Sequence, residues 1–336
     1  MFYRAAWSVV TRSVLLSFLL FPGMTLSSAQ EGPLGRAQED SVAHKSDPGT
    51  KDPAPEYSIR VNTTYVLIPV TVTDEQNRFV LGLGRNNFGL SEDGSDQKIT
   101  QVSGEDAPLS VGLLVDTSGS MGMKLDISRH AVEEFLKTMN PADEAFLVEF
   151  SDRARLVTGF TNRVNTIEDG LASLESNGLT ALLDAVHIGL RQMKSAKNPR
   201  KALLILSDGG DNNSRYTPGE IKDLVREADV QIYCMGVFEP TLMGLSLAEL
   251  SGPKLLARIS DQTGGRVFAA TRDSQLPAIA KRIGVELRNQ YVLAYYPSHN
   301  QRDGTYRRVT VKLKPPEGLP PLKARWRLGY YAPTQQ

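Results

Sequence analysis

Cysteine is almost missing from this chain: one residue, Cys234, in 336. No intrachain disulfide can form, and a lone thiol inside the apolar run VQIYCMGV reads as a small hydrophobe on a buried strand. Histidine is scarce too. His44, His130, His187 and His299 never pair at zinc-ligand spacing, which speaks against a zinc enzyme. Net charge is also lacking, with 38 Lys and Arg against 38 Asp and Glu, so no strong field points to nucleic acid or an anionic membrane. No run of twenty apolar residues occurs, and the core VLLSFLLF at 14–21 is too short to span a bilayer comfortably.

What is present begins with an export pattern. Arg4 and Arg12 precede that apolar core, Pro22-Gly23 follow it, and the small residues Ser27, Ser28 and Ala29 close it. This predicts a signal peptide over 1–29 with cleavage near Ala29, and a secreted or periplasmic protein. A membrane link then exists only if the segment stays uncleaved as an N-terminal anchor. Residues 30–56 mix Pro, Gly, Ser and charge with few large apolar side chains, the composition of a disordered linker.

From Tyr57 the texture turns to β. Ile59, Val61 and Thr63 alternate, and the Val-, Ile- and Thr-rich stretch continues to Asp74. Asp93-Gly94 is a hairpin signal between Phe88–Ser91 and Lys98–Val102. Between about 108 and 290 strand and helix patterns alternate. Apolar runs at 110–116, 145–150, 201–207, 230–237 and 266–270 suit parallel strands covered on both faces. Ile127, Ala131, Phe135 and Met139 make one helical stripe, and Leu182, Val186, Leu190 and Met193 another. Past 290 the β pattern returns in 291–297, 307–314 and 325–331. The chain is therefore expected to be an α/β protein: a doubly wound, mostly parallel sheet over 108–290, inserted in a small antiparallel β-sandwich built from the flanks 57–107 and 291–336. The aromatic residues of the second flank, Tyr291, Tyr295, Tyr296, Trp326, Tyr330 and Tyr331, are assigned to that sandwich's core and edges.

Ligands of open α/β sheets sit beyond the carboxyl ends of the strands. Three such ends carry oxygen: Asp116-Thr-Ser118-Gly-Ser120, the later Ser176–Thr180, and Ser207-Asp208-Gly-Gly. Two carboxylates and three hydroxyls, with no nitrogen or sulfur, suit Mg²⁺, with Mn²⁺ or Ca²⁺ as substitutes. Each piece alone has a plainer reading, since Ser118, Ser120 and Thr180 are all residue types that cap helices. Asp211 is left as a loop residue.

Asp-x-Ser-x-Ser, the later Gly-x-Thr and the strand-terminal Ser-Asp-Gly resemble the metal-ion-dependent adhesion site of the von Willebrand factor type A family, over about residues 108–290. The flanking phrases IPVTVTD (68–74) and GYYAP (329–333) are similar to the secreted bacterial branch of that family. The resemblance implies that Ser118, Ser120 and Thr180 coordinate a metal directly, while Asp116 and Asp208 do so directly or through water. It implies a metal-dependent binding module whose partner is a protein presenting Asp or Glu, with specificity set by surrounding loops such as Glu239–Gly252. Enzymatic readings fail on their motifs. An aspartic protease needs a second Asp-Thr-Gly-like loop, a serine hydrolase needs a Gly-x-Ser-x-Gly elbow, and a phosphate-binding loop needs Gly-Lys-Ser/Thr. The alternatives are a scaffold whose metal binds nothing external and, ranked after it, a hydrolase.

Overall fold

The structure is a computed structural model, and it describes residues 65–104, 106–237 and 247–334. The expected signal peptide, the linker and the alternation at Ile59, Val61 and Thr63 lie outside these residues. Among the described residues no helix is long and apolar enough to cross a membrane.

The first strands are β1 (Val66–Thr73), β2 (Phe88–Glu92), β3 (Ser95–Gln97) and β4 (Ile99–Ser103). The α/β part follows with β5 (Leu109–Asp116), α1 (Leu125–Leu136), β6 (Glu144–Phe150), β7 (Ala154–Thr161), α2 (Val164–Ala172) and α3 (Leu182–Met193). It continues through β8 (Arg200–Leu206), α4 (Pro218–Glu227), β9 (Gln231–Val237), α5 (Leu247–Ser260), β10 (Val267–Ala270) and α6 (Leu276–Arg288). The last strands are β11 (Tyr291–Tyr295), β12 (Tyr306–Leu313), β13 (Lys323–Trp326) and β14 (Gly329–Tyr331).

Six strands form the central sheet in the order β10-β9-β8-β5-β6-β7. All neighbours are parallel except β6 and β7. The apolar runs alternate their side chains between two covered faces. Val111, Leu113 and Val115 pack with α1, α2 and α6 on one face. Leu114, Phe146, Ile205 and Cys234 pack with α3, α4 and α5 on the other. Cys234 is fully buried, and that burial pushes its thiol pKa up, so it stays protonated and inert. The edge strand β7 escaped the sequence reading because it is half exposed and carries Arg155, paired with Glu149 of β6 at 2.7 Å. Edge strands favour such charge because it blocks further pairing.

Two further antiparallel sheets, β13-β1-β11-β4 and β14-β12-β2-β3, flank a shared core of Ile68, Val70, Phe88, Leu90, Leu293, Tyr295 and Val311. Strands from both ends of the chain thus make one sandwich around the α/β part. Its buried acid Glu92, on β2, accepts hydrogen bonds from Tyr295 (2.6 Å) and Tyr330 (2.8 Å), which tie the two sheets together.

Two details differ from the expected strands. Asp93-Gly94 does form a hairpin, with both residues at positive φ (48° and 84°), but its second arm is the short β3. The chain then crosses at Lys98 to the other sheet, so most of 98–102 pairs with β11 instead. Likewise 325–331 is not one strand. It breaks at Arg327, whose buried guanidinium turns to Asp229 (2.5 Å) and the Arg226 carbonyl, so β13 joins one sheet and β14 the other. Pro69 stands next in register to Val70 where β13 peels away, and a proline has no N–H to extend that ladder.

Both crossings between sandwich and α/β part lie side by side. Arg288 binds Asp143 and, at 2.8 Å, Asp106. Asp143 also accepts the Leu109 N–H at 2.8 Å. Gln290 donates to Thr71 of β1 and to Tyr233 of β9. This junction sits at the start of β5, and Asp116 ends that strand. At 3.3 Å per residue the two are roughly 23 Å apart.

The centre of the sheet has no slack at Gly112 of β5. A Cβ there would meet Phe146 at 2.3 Å and Leu203 at 2.4 Å. Gly112→Ala is expected to lower stability by about 1–3 kcal/mol through overpacking. In urea unfolding this appears as a lower midpoint with an unchanged slope.

Candidate metal centre

The five oxygen-bearing residues stand on three loops at the carboxyl ends of β5 and β8 and at the entry to α3. Asp116 is fully buried. Its Oδ1 accepts the Ser118 N–H at 2.9 Å and its Oδ2 the Ser207 hydroxyl at 2.5 Å. The first of these turns the loop sharply after the strand, and the second ties it to the loop after β8.

Ser118 and Ser120 follow with their hydroxyls 3.2 Å apart. Ser118 is buried and Ser120 is exposed. The second loop is laced to the first at three points. Asn177 N–H donates to the Thr117 carbonyl (2.8 Å), Gly119 N–H to the Gly178 carbonyl (3.0 Å) and the Ser176 hydroxyl to the Ser118 carbonyl (2.6 Å). Gly178 has φ 75°, and a Cβ on it would strike the Asp152 carboxyl at 2.7 Å. Asp152 instead accepts the Leu179 N–H at 2.7 Å. The third loop closes the set. Asn212 Oδ1 accepts the Thr180 N–H (2.8 Å), while the Asn212 and Asn213 N–H groups donate to the Thr180 carbonyl (3.0 Å each). Asp208 is buried, and its Oδ1 accepts the Gly210 N–H at 3.2 Å.

Capping does not account for the hydroxyls. Ser118 stands at the N-cap of the 3₁₀ turn Gly119–Lys124 but makes no side-chain cap bond, and the first residue before α1 is Lys124. Thr180 is not the cap of α3, because Ala181 holds that position. The free N–H groups of that helix are met from the third loop. Leu183 N–H donates to the Ser214 hydroxyl (3.0 Å), as does Asp184 N–H (3.2 Å), and Asp211 in turn accepts the Ser214 hydroxyl at 2.6 Å. Thr180, 4 % exposed, thus keeps a hydroxyl that makes no hydrogen bond among the described residues.

The electrostatics leave negative charge to be compensated. Burial pushes the Asp116 carboxyl up to about 7, the Ser118 and Ser207 hydrogen bonds oppose that rise, and the charge of Asp208 adds to it. Two carboxylates in a dry pocket repel each other until positive charge is supplied. Among the described residues no three His, Cys, Asp or Glu side chains converge as a metal cluster. The donors here are chiefly hydroxyls, and an all-oxygen set of this kind fits a hard divalent ion rather than a soft one.

Several contributors carry no signal of their own in the sequence. Asn212, Asn213, Asp152 and Ser214 hold the backbone or the helix start, and such roles show only once the loops are in contact. Of the loop Glu239–Gly252, residues 239–246 lie outside the described residues. Gly252 of α5 is described, and its backbone packs so closely on Gly209 that a Cβ on Gly209 would come within 2.6 Å.

Residues 111–210 match the family model of the von Willebrand factor type A domain. The matched stretch runs from β5 to the loop after β8 and holds all five oxygen-bearing residues. Among curated proteins, an uncharacterized protein of Borreliella burgdorferi is 22 % identical over 201 residues, which is 53 % of this chain and 58 % of that protein. Inter alpha-trypsin inhibitor, heavy chain 4, of Mus musculus is 29 % identical over 143 residues, 38 % of this chain and 15 % of that protein. The chain thus spans only part of the curated relatives it matches. Among solved structures, a von Willebrand factor type A protein from Catenulispora acidiphila aligns over 82 % of this chain and 76 % of its own, with a TM-score of 0.48 and 14 % identity. The PilB minor pilin from Streptococcus sanguinis aligns over 55 % of this chain and 62 % of its own, with a TM-score of 0.44 and 17 % identity.

The division between capping and spare hydroxyls has a direct consequence for stability without metal. In EDTA, Ser214→Ala is expected to cost about 1 kcal/mol as a lost helix cap. Ser120→Ala and Thr180→Val are expected to stay within about 0.5 kcal/mol of the parent, as substitutions that break no capping bond. Urea midpoints of the three variants check this.

Proposed function

We propose that this chain is an exported, metal-dependent binding protein that captures an acidic side chain of a protein partner. Asp116, Ser118, Ser120, Thr180 and Asp208 hold Mg²⁺, with Mn²⁺ or Ca²⁺ able to replace it. The bound ion supplies a Lewis-acidic position for an outside carboxylate. The protein's own residues do the rest: Ser207 and the Ser118 N–H fix Asp116, Asn212 fixes Thr180, and the buried carboxylates keep the seat anionic enough to retain a cation.

One observation carries the reading. Ser120 and its neighbours Gly119, Gly122 and Gly178 are exposed, while Asp116 and Asp208 directly behind them are buried. The seat is therefore reachable from solvent on the side of the neutral donors. A site closed by its own carboxylates has no place for a partner's, and this one is open where it is least charged. The reading is of binding, with the Ser207 hydroxyl held on Asp116 as a positioning contact. Export rests on the N-terminal pattern of Arg4, Arg12 and the apolar core that follows.

Metal binding to the folded state alone adds about 2.7 kcal/mol at a hundredfold excess over Kd. For a chain of this size that raises the melting temperature by roughly 5–10 °C. Wild-type protein is expected to show this rise on Mg²⁺ addition and lose it in EDTA, whereas Asp116→Ala and Asp208→Ala show none. Equal melting of wild type with and without Mg²⁺, Mn²⁺ and Ca²⁺ would refute the metal seat.

A further inference from the structure

Two large apolar side chains stand in solvent on the loops that frame the candidate metal seat. Met123 is 98 % exposed, the most exposed of the large hydrophobic residues described, and Leu179 is 49 % exposed. A scattered exposed apolar residue needs no explanation by itself. These two differ in where they stand. Met123 lies three residues after Ser120, and Leu179 directly precedes Thr180. The loops that carry them are joined through Gly119 and Gly178 (3.0 Å) and through Ser176 and Ser118 (2.6 Å).

Their backbones are fixed while their side chains are not. Met123 sits between buried Met121 and buried Leu125 within a short 3₁₀ turn and the helix that follows it. Leu179 sits between Gly178, which a side chain cannot replace, and buried Thr180, with its N–H held by Asp152. Between the two, the exposed residues Gly119, Ser120, Gly122 and Gly178 carry almost no side chain. The result is a low collar of small residues with two exposed apolar posts, Met123 and Leu179, on the same two loops. Pre-set backbones reduce the ordering cost of binding, and a thioether adapts its shape to whatever packs on it.

We infer that Met123 and Leu179 are specificity-determining anchors, and that the partner segment presents its carboxylate between aliphatic or aromatic side chains. This rests on the metal-dependent reading above. An acid that reaches the ion brings its sequence neighbours to the loops that carry Met123 and Leu179. A partner whose acid is flanked by charge or by serine leaves both posts wet and gains nothing from them. The fit is thus to an acidic residue within an apolar context, not to an acidic stretch.

A displayed library of random twelve-residue peptides, selected on the immobilised full chain in Mg²⁺ and eluted with EDTA, tests this. Eluted peptides are expected to carry Asp or Glu with Leu, Ile, Met or Phe within two positions. A synthetic peptide of the selected sequence is expected to bind Met123→Ser and Leu179→Ser about tenfold more weakly each. The melting rise on Mg²⁺ is expected to stay at the wild-type value in both variants, since neither residue is a ligand. Acidic peptides without apolar neighbours, or affinities within twofold of wild type in both variants, overturn the anchors while leaving the metal reading intact. If no peptide elutes with EDTA, or if Asp116→Ala captures peptides as well as wild type, the metal reading falls and the anchors fall with it.

Discussion

The hydrogen bond from the Ser207 hydroxyl to Asp116 is the contact on which the rest of the site depends. It joins the ends of two adjacent parallel strands, β5 and β8, inside a dry sheet edge. A carboxylate fully buried at the end of an apolar strand is costly unless hydrogen bonds and charge compensate it. Ser207 and the Ser118 N–H provide part of that compensation and fix where the remaining deficit lies. The deficit is positive charge, and the charge of Asp208 adds to it. Every other loop contact keeps oxygen around that point: the lacing of 117–119 to 176–178, and the clasp of Asn212 and Asn213 on Thr180.

The sandwich takes no part in this chemistry, and its placement explains why it need not. It attaches at the opposite end of β5, where Arg288, Asp143, Asp106 and Gln290 lock the two crossings together. Two crossings close together keep the sandwich at one end of β5 and Asp116 at the other. A single crossing would leave the α/β part hinged on one strand of chain. The double junction makes the sandwich a mount, with the candidate seat on the face turned away from it.

Much of this was legible in the sequence because the relevant signals are local. Continuous apolar runs such as Val111–Val115 mark strands covered on both faces, and glycine beside aspartate or serine marks the loops at their ends. The sandwich could be inferred because neither flank has strands enough for a core. What failed to show depends on contacts distant in sequence. β7 is half polar because it is an edge, and a half-polar segment has no distinctive period. The break at Arg327 follows from where Asp229 and the Arg226 carbonyl stand. Asp152, Asn212 and Ser214 are ordinary loop residues until the fold brings their partners to them, so no spacing rule could have selected them.

The same loop chemistry separates the metal reading from the capping one. Serine, threonine and aspartate at strand ends normally spend their oxygens on nearby backbone N–H groups. Here α3 begins two residues after Thr180, so Ala181 and not Thr180 stands at its N-cap, and the N–H groups are served by Ser214 and Asp211 from 31 and 28 residues away along the chain. Capping in this way costs the ordering of a whole loop, whereas a serine or threonine in place of Ala181 would have capped locally. The fold uses the long-range solution and leaves the Thr180 hydroxyl without a hydrogen bond among the described residues. That choice is unfavourable for a helix start considered alone. Under the metal reading proposed above, the loop that serves the helix start is also the one that carries Asp208.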